Sequence, residues 1–264
     1  GIQFMPFSDR INYQSFVQQF HRTLYQLNVG VDFVTPESDW SRYRVLLVPP
    51  LYVASDSDLE KLVAFVRDGG HVIVTLKSGF TNEFNTVRHA MMPGPLRPAA
   101  GFRYQEFSTL RQPLPLRGDP FHAGEDNRVS EWAEMLILEG AEALAWYDHP
   151  FFGRYPAITR NQFGKGTFTY EGTVLTDALQ RAVVLDVLTR AGLAGPDQKL
   201  PAPVRVKHGT AAGRKLHFYF NYSSSEQTFP YNYGAAEELL TGNKAATGES
   251  VRLSPWGVAI FRES

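Results

Sequence analysis

Two apolar runs, "VLLV" at Val45–Val48 and "HVIVTL" at His71–Leu76, set the tightest limit on what this chain can fold into. Each is nearly continuous rather than alternating, the pattern of strands buried on both faces of a parallel sheet. Parallel neighbours need a crossover, and the segment between the runs supplies one. Ser57 and Glu60 form a capping-box pattern, Leu59, Leu62, Val63 and Val66 recur at helical spacing, and Gly69-Gly70 ends the run. Upstream, Tyr13, Phe16, Val17, Phe20, Leu24 and Leu27 mark another helix. Ser8 or Asp9 caps its start, and Asn28 with Gly30 marks its stop. "VDFV" at Val31–Val34 reads as a short strand. The order helix, strand, strand, helix, strand predicts an open parallel α/β sheet.

The middle of the chain is rich in Pro and Gly, as in "MMPGPLRPAAG" and "RQPLPLRGDPF". "EMLILEGAEALAWY" then predicts two short strands around Glu139-Gly140. A helix is expected from about Thr176 to Ala191, with Leu179, Ala182, Val183 and Leu188 on one face and Gly192 after its end. "GPDQKLPAP", Gly195–Pro203, reads as a linker. Short β-like runs follow. In "KLHFYFNY" the alternate residues Leu216, Phe218, Phe220 and Tyr222 are apolar, which predicts that they form the buried face and leaves His217 on the exposed one. The expected organisation is therefore an α/β domain over residues 1–196 and a small all-β, antiparallel domain over 203–264.

"TRNQFGKGTFTYEGT", Thr159–Thr173, contains Gly164-Lys165-Gly166-Thr167 and looks at first like a phosphate-binding loop. A P-loop needs a Gly five residues before its Gly-Lys, where Thr159 stands, and Ser or Thr after the lysine, where Gly166 stands. No helix follows. The stretch instead predicts a β-hairpin, with Gly164 at the first position of a type II′ turn and Gly166 available for a bulge.

Other chemistry fares no better. Neither strand end, "PPLYVAS" or "KSGFTNE", carries a dinucleotide fingerprint, and no Gly-x-Ser-x-Gly run is present. Ser78-Gly79 follows a buried strand but reads as a turn. "GDPFHAGEDN" gathers Asp119, His122, Glu125 and Asp126 without the calcium-loop ligand pattern, so a solvated loop is expected. No pair of carboxylates stands out with the geometry a glycosidase needs. The chain has no cysteine, which excludes thiolate metal sites and cysteine nucleophiles. A formal charge of -1 and no basic run argue against a nucleic-acid partner. No apolar run approaches the roughly 20 residues of a membrane helix. No signal peptide is visible in "GIQFMPFSDR", so a cytoplasmic location is expected. No cofactor is implied. Tyr231, Tyr233 and Trp256, in or near the small β domain, are candidate sugar contacts, since aromatics stack on flat apolar faces.

The order of these segments resembles a known family. "YQSFVQQFHRTLYQLNVGVDFVTPESDWSRYRVLLVPPLYVASDSDLEKLVAFVRDGGHVIVTLKSGFTNEFNTVRHAMMPGPLR" looks like the domain that follows the catalytic barrel of family 42 β-galactosidases. "LEGAEALAWY", "PAITRNQFGKGTFTYEGT" and the closing "RLSPWGVAIF" are similar to later parts of the same family. The resemblance implies a trimerisation domain with a flavodoxin-like fold, close to class I glutamine amidotransferases, followed by a small C-terminal β domain. It implies self-association, as a trimer in the parent family, and a separate catalytic (β/α)8 barrel as the other partner. That barrel holds the family's two catalytic glutamates and hydrolyses terminal β-galactosides, so the galactoside is met only through the parent. A barrel alone takes about 250 residues, and no catalytic residue transfers to a position here. The amidotransferase-like fold normally uses a cysteine, which this chain lacks. The family's domain usually opens with a strand before the first helix, and only "GIQFMPF" precedes Ser8, so that strand is expected to be missing or short. The loop Ser78–Pro95 is the expected contact surface, with Asn82, Glu83, Arg88, Met91 and Met92 as interface candidates; a Met pair suits an adaptable apolar contact. The alternative is an independent carbohydrate-binding or accessory module.

Overall fold

Leu59, Leu62 and Val66 form the buried stripe of the helix Asp56–Arg67, and this stripe shares one core with Leu46, Val72, Val74, Phe168 and Tyr170. The computed structural model describes residues 11–264; the expected shortened strand before Ile11 lies outside the described residues. Two units are present. The first comprises, among the described residues, 11–23 and Val31–Leu193; the second comprises Leu24–Gly30 and Ala194–Ser264.

In the first unit, strand Val45–Val48 pairs in parallel with His71–Thr75 from Val45↔His71 to Val48↔Val74. His71–Thr75 pairs in parallel with Gly166–Glu171 on its other side. Beyond that the sheet turns antiparallel, through Pro156–Phe163 and then Glu142–Trp146. The open parallel sheet expected from the sequence is thus corrected to a mixed five-stranded sheet. The reason is local: Pro156–Phe163 and Gly166–Glu171 are joined by a two-residue turn, and such a connection only makes antiparallel neighbours. A second, antiparallel sheet contains Thr173–Leu175, Arg128–Glu134 and Phe107–Thr109. Helix Asp177–Arg190 is capped by Thr176 and buries Leu179, Val183, Val184, Val187 and Leu188.

Helix ends follow short-range chemistry. Helix Tyr13–Gln26 stops as Asn28 enters the left-handed region (φ 58), with its N–H donating to the Tyr25 carbonyl and the Val29 N–H donating to that of Leu24. The cap of Asp56–Arg67 is Ser55, whose hydroxyl accepts the Asp58 N–H, and not Ser57, which lies inside the helix. Val31–Val34 is not strand; three of its four residues are exposed, and the segment has no ladder partner among the described residues.

In the second unit, strands Val204–Ala211, Arg214–Asn221, Val258–Glu263, Ala236–Glu238 and Lys244–Ala245 form one antiparallel sheet, and Gln227–Pro230 pairs with Ser250–Leu253. Val204, Val206, Tyr219, Phe229, Tyr231, Leu253 and Phe261 fill its core. The expected faces of "KLHFYFNY" are reversed. His217, Tyr219 and Asn221 point inward, while Leu216, Phe218 and Phe220 are half-buried. The inward polar groups are satisfied: Asn221 Nδ2 donates to the carbonyls of Ser225 and Ser254, and both His217 ring nitrogens have partners. Hydrogen bonds remove the penalty that apolar patterning assumes for a buried polar side chain.

Candidate functional site

In open α/β sheets, ligands are held beyond the carboxyl ends of the parallel strands. Here His71–Thr75 runs into Leu76, Lys77 and Ser78, and all three are fully buried. Lys77 adopts a left-handed backbone (φ 59), costly for a side-chain-bearing residue. Its N–H donates to Glu134 Oε1 at 2.9 Å, which holds the turn in that conformation. Tyr170 donates its hydroxyl to Glu134 Oε2 at 2.7 Å. The Lys77 ammonium lies 3.6 Å from the centre of the Phe80 ring and 3.1 Å from that of Phe107, with Trp132 at 5.0 Å, an aromatic box that stabilises a cation. Burial pulls the Lys77 amine down to about 7, against the pull of the Glu134 charge. The same burial pushes the Glu134 carboxyl up, opposed by Lys77. Ser78 Oγ donates to the Thr75 carbonyl at 2.8 Å and accepts the Leu51 N–H at 3.0 Å. The turn is therefore a sealed structural element, in which neither Lys77 nor Ser78 reaches solvent. Sequence reasoning passed over Lys77 and Glu134; the available signal was a lysine closing the nearly continuous apolar run His71–Leu76.

The loop that follows holds the interface candidates. Asn82 braces it from within: its Oδ1 accepts the N–H groups of Phe84 and Thr86, and its own N–H donates to the Thr86 carbonyl. The Arg88 side chain is almost buried; it pairs with Asp56 and donates to the Ala54 carbonyl, tying the loop to the start of helix Asp56–Arg67. Met92 is buried in the core and Met91 is half-buried, while Glu83 is exposed. The most exposed apolar groups on the loop are Phe84 (80%) and Val87 (51%), which sequence reasoning did not single out. Their signal was two apolar residues inside the otherwise polar "TNEFNTVRH".

In the second unit the three aromatic candidates are not brought together on the surface. Tyr231 is fully buried, so its ring is a core group and offers no face to a sugar. Tyr233 stacks on His217 with ring centres 4.0 Å apart and donates its hydroxyl to Asp197 at 2.6 Å. Trp256 is 69% exposed, on a turn where it takes a left-handed backbone (φ 55). In the "GDPFHAGEDN" loop, the Asp119 carboxylate accepts the N–H groups of Ala123 and Gly124, which makes it a turn-forming group.

Comparison with known proteins agrees with this arrangement. The family model of the β-galactosidase trimerisation domain matches residues 2–194, and that of the β-galactosidase C-terminal domain matches residues 204–263. A β-galactosidase from Heyndrickxia coagulans is 30% identical over 97% of this chain and 37% of its own length. One from Geobacillus kaustophilus is 29% identical over 97% of this chain and 38% of its own. The crystal structure of the β-galactosidase from Bacillus circulans sp. alkalophilus superposes with a TM-score of 0.84 at 26% identity, over 97% of this chain and 38% of that one. The chain thus spans well under half the length of the relatives it matches. Two family domains in consecutive order cover nearly all of it, and on that ground the chain belongs to the family 42 β-galactosidases, as their trimerisation and C-terminal domains.

Proposed function

We propose that this chain is the self-association region of a β-galactosidase, and that the hydrolysis of terminal β-galactosides takes place in a separate catalytic barrel of the parent protein. The observation that carries the reading is the braced loop: Asn82 and Arg88 hold Phe84 and Val87 out in solvent, at a cost in apolar exposure that a partner subunit would recover. The sealed turn at Lys77 supports the non-catalytic side of it. Asn82, Glu83, Arg88 and Met91 then act as a frame and rim around that apolar tip, and Met92 acts as its anchor in the core. The trimerisation domain is assigned to residues 1–196 and the small β domain to 203–264. The finer fold reading, flavodoxin-like and close to class I glutamine amidotransferases, is supported by the parallel triplet and by a strained residue on the turn after a buried strand, the kind of position from which α/β enzymes present a nucleophile. The partners are further copies of the chain, as a trimer, and the catalytic barrel; the location is cytoplasmic. Light scattering over a concentration series tests self-association, and a strict monomer at high concentration removes its support.

A second reading, a carbohydrate-binding accessory module, rests on Trp256, whose N–H donates to the carbonyl of Ser223, next to Tyr222, itself 55% exposed. Calorimetry with galactosides and galactans decides it: sub-millimolar binding lost in Trp256→Ala supports this module, and no heat of binding rejects it.

A further inference from the structure

Four hydrogen-bonding groups of the second unit form an unbroken row. His208 Nε2 meets Asp197 Oδ2 at 2.7 Å, His208 Nδ1 meets His217 Nδ1 at 2.7 Å, and His217 Nε2 meets Glu263 Oε1 at 2.8 Å. Protons can be assigned from the partners alone. A carboxylate only accepts, so both Nε2 atoms carry hydrogen. Between the two Nδ1 atoms one must donate and the other accept. The row is therefore complete with three protons on four ring nitrogens, that is, with a single positive charge on the histidine pair. His217, with a side chain only 3% exposed and its charged form disfavoured by burial, is the ring that resists a second proton. A fourth proton would put two N–H groups head to head at 2.7 Å.

We propose that the His208–His217 pair is an acid-sensitive latch: a second positive charge drives the two rings apart and loosens the turn Pro196–Lys199 from the sheet of the second unit. The row spans that turn (Asp197) and the strands Val204–Ala211 (His208), Arg214–Asn221 (His217) and Val258–Glu263 (Glu263). The other titratable groups facing it are Tyr233, which stacks on His217, bonds Asp197 and lies 3.3 Å from His208 Nε2; Tyr231, whose ring centre is 6.0 Å from that of His217; and Lys215, whose ammonium is 3.9 Å from Glu263 Oε2. Burial pushes the hydroxyls of Tyr231 and Tyr233 up, so neither loses a proton that would cancel the added charge. Burial holds His217 below the ordinary histidine value, with the Glu263 hydrogen bond opposing, which is the direction a ring that resists its proton requires. The sign follows: a histidine depressed in the folded state loses stability to the fold as pH falls through the ordinary histidine value of about 6.5 and below, because the unfolded chain takes the proton first.

Histidine-labelled whole chain provides the test, by ¹⁵N–¹H correlation of the seven imidazoles with amide exchange read on the same samples. The expected result is that two rings titrate as a coupled pair, one of them below about pH 6.5. As pH falls from about 6.5 towards that lower value, protection of the Leu200 amide, which donates to the Asp197 carbonyl, drops by up to about tenfold per pH unit and then levels off. In His208→Gln, which keeps a neutral hydrogen-bonding side chain, that acid-induced loss disappears. Two rings titrating independently near about 6.5 would overturn the proposal, as would Leu200 protection that stays level in the unmodified chain. Either outcome can be read on the unmodified chain, so the test stands whether or not the variant folds.

Discussion

At the scale of single residues, the least expected feature is a lysine used as a core residue. Lys77 is closed off by three aromatic rings and leans on Glu134, which accepts from the Lys77 N–H and the Tyr170 hydroxyl. Removing the Glu134 carboxyl leaves two buried donors, the Lys77 N–H and the Tyr170 hydroxyl, without their acceptor, at about 1–3 kcal/mol each. Glu134→Ala is therefore expected to lower unfolding free energy by that amount in urea titration, with Glu134→Gln losing less because an acceptor oxygen remains. A loss below about 1 kcal/mol in Glu134→Ala would reject the pairing as a structural device. Glu171 is a second buried carboxyl, pushed up to about 8 by burial against the opposing hydrogen bond from Gln180 Nε2. Its folded-state value is raised above the ordinary one near 4.5, so the folded state holds the proton more tightly than the unfolded chain. That stabilisation is complete below about pH 4.5 and drains away as pH rises to about 8, by up to about 1.4 kcal/mol per pH unit. Glu171→Gln, which cannot ionise, should remove this slope, and its stability relative to the unmodified chain should climb between about pH 5 and 8. Parallel stability curves for the two proteins across that window would contradict the buried, protonated carboxyl.

At the scale of elements, the hairpin Pro156–Glu171 shows why a glycine-rich turn need not mean phosphate. Gly164 takes a left-handed backbone (φ 58), and Lys165 between the two glycines donates its N–H to the Arg67 carbonyl at 2.9 Å. A Cβ at Gly164 would be driven into the Arg67 backbone, and one at Gly166 into the carbonyls of Gly70 and Val66. Both glycines are there so that the hairpin can lie against the end of helix Asp56–Arg67. Gly166 pairs directly with Phe163 and the ladder runs on without a bulge, so the bulge suggested by the sequence is absent. Gly164→Ala should cost at least about 1–2 kcal/mol from the backbone conformation alone, read as a drop in melting temperature, and Gly166→Ala should be damaging although its φ is ordinary. A Gly166→Ala protein as stable as the original would show that the close approach does not constrain the turn. The same contrast explains what was legible in the sequence. Val45–Val48, His71–Thr75 and the three long helices could be read because caps, stops and apolar runs are short-range signals. The strand direction of Pro156–Phe163, the inward face of Arg214–Asn221 and the Lys77–Glu134 pair could not, because each depends on a partner outside its own segment. Glu134 and Lys77 are 57 residues apart, and His217 becomes an inward residue only through His208 and Glu263.

At the scale of the whole molecule, association depends on buried area as well as on exposed groups. A stable interface buries about 1,200–2,000 Å² in total, far more than two side chains supply, so Phe84 and Val87 can only be the centre of a wider contact. Centres carry a disproportionate share of the affinity, and loss of one buried aromatic commonly costs about 2 kcal/mol or more. Phe84→Asp also introduces a charge that must be desolvated without a partner, which adds to the cost of assembly. The expected outcome is an association constant at least about thirtyfold weaker in sedimentation velocity, since about every 1.4 kcal/mol is a factor of ten. The same change should leave the fold of the isolated chain nearly untouched, because Phe84 is 80% exposed and Asn82, which shapes the loop, is unchanged. Arg88→Ala acts by the other route: it cuts the tie to Asp56 and the Ala54 carbonyl, so it should loosen the loop and lower both association and melting temperature. The pair of variants separates the two roles. If Phe84→Asp assembles as the unmodified chain does, the loop is not the centre of the contact, and the association surface lies elsewhere on the molecule.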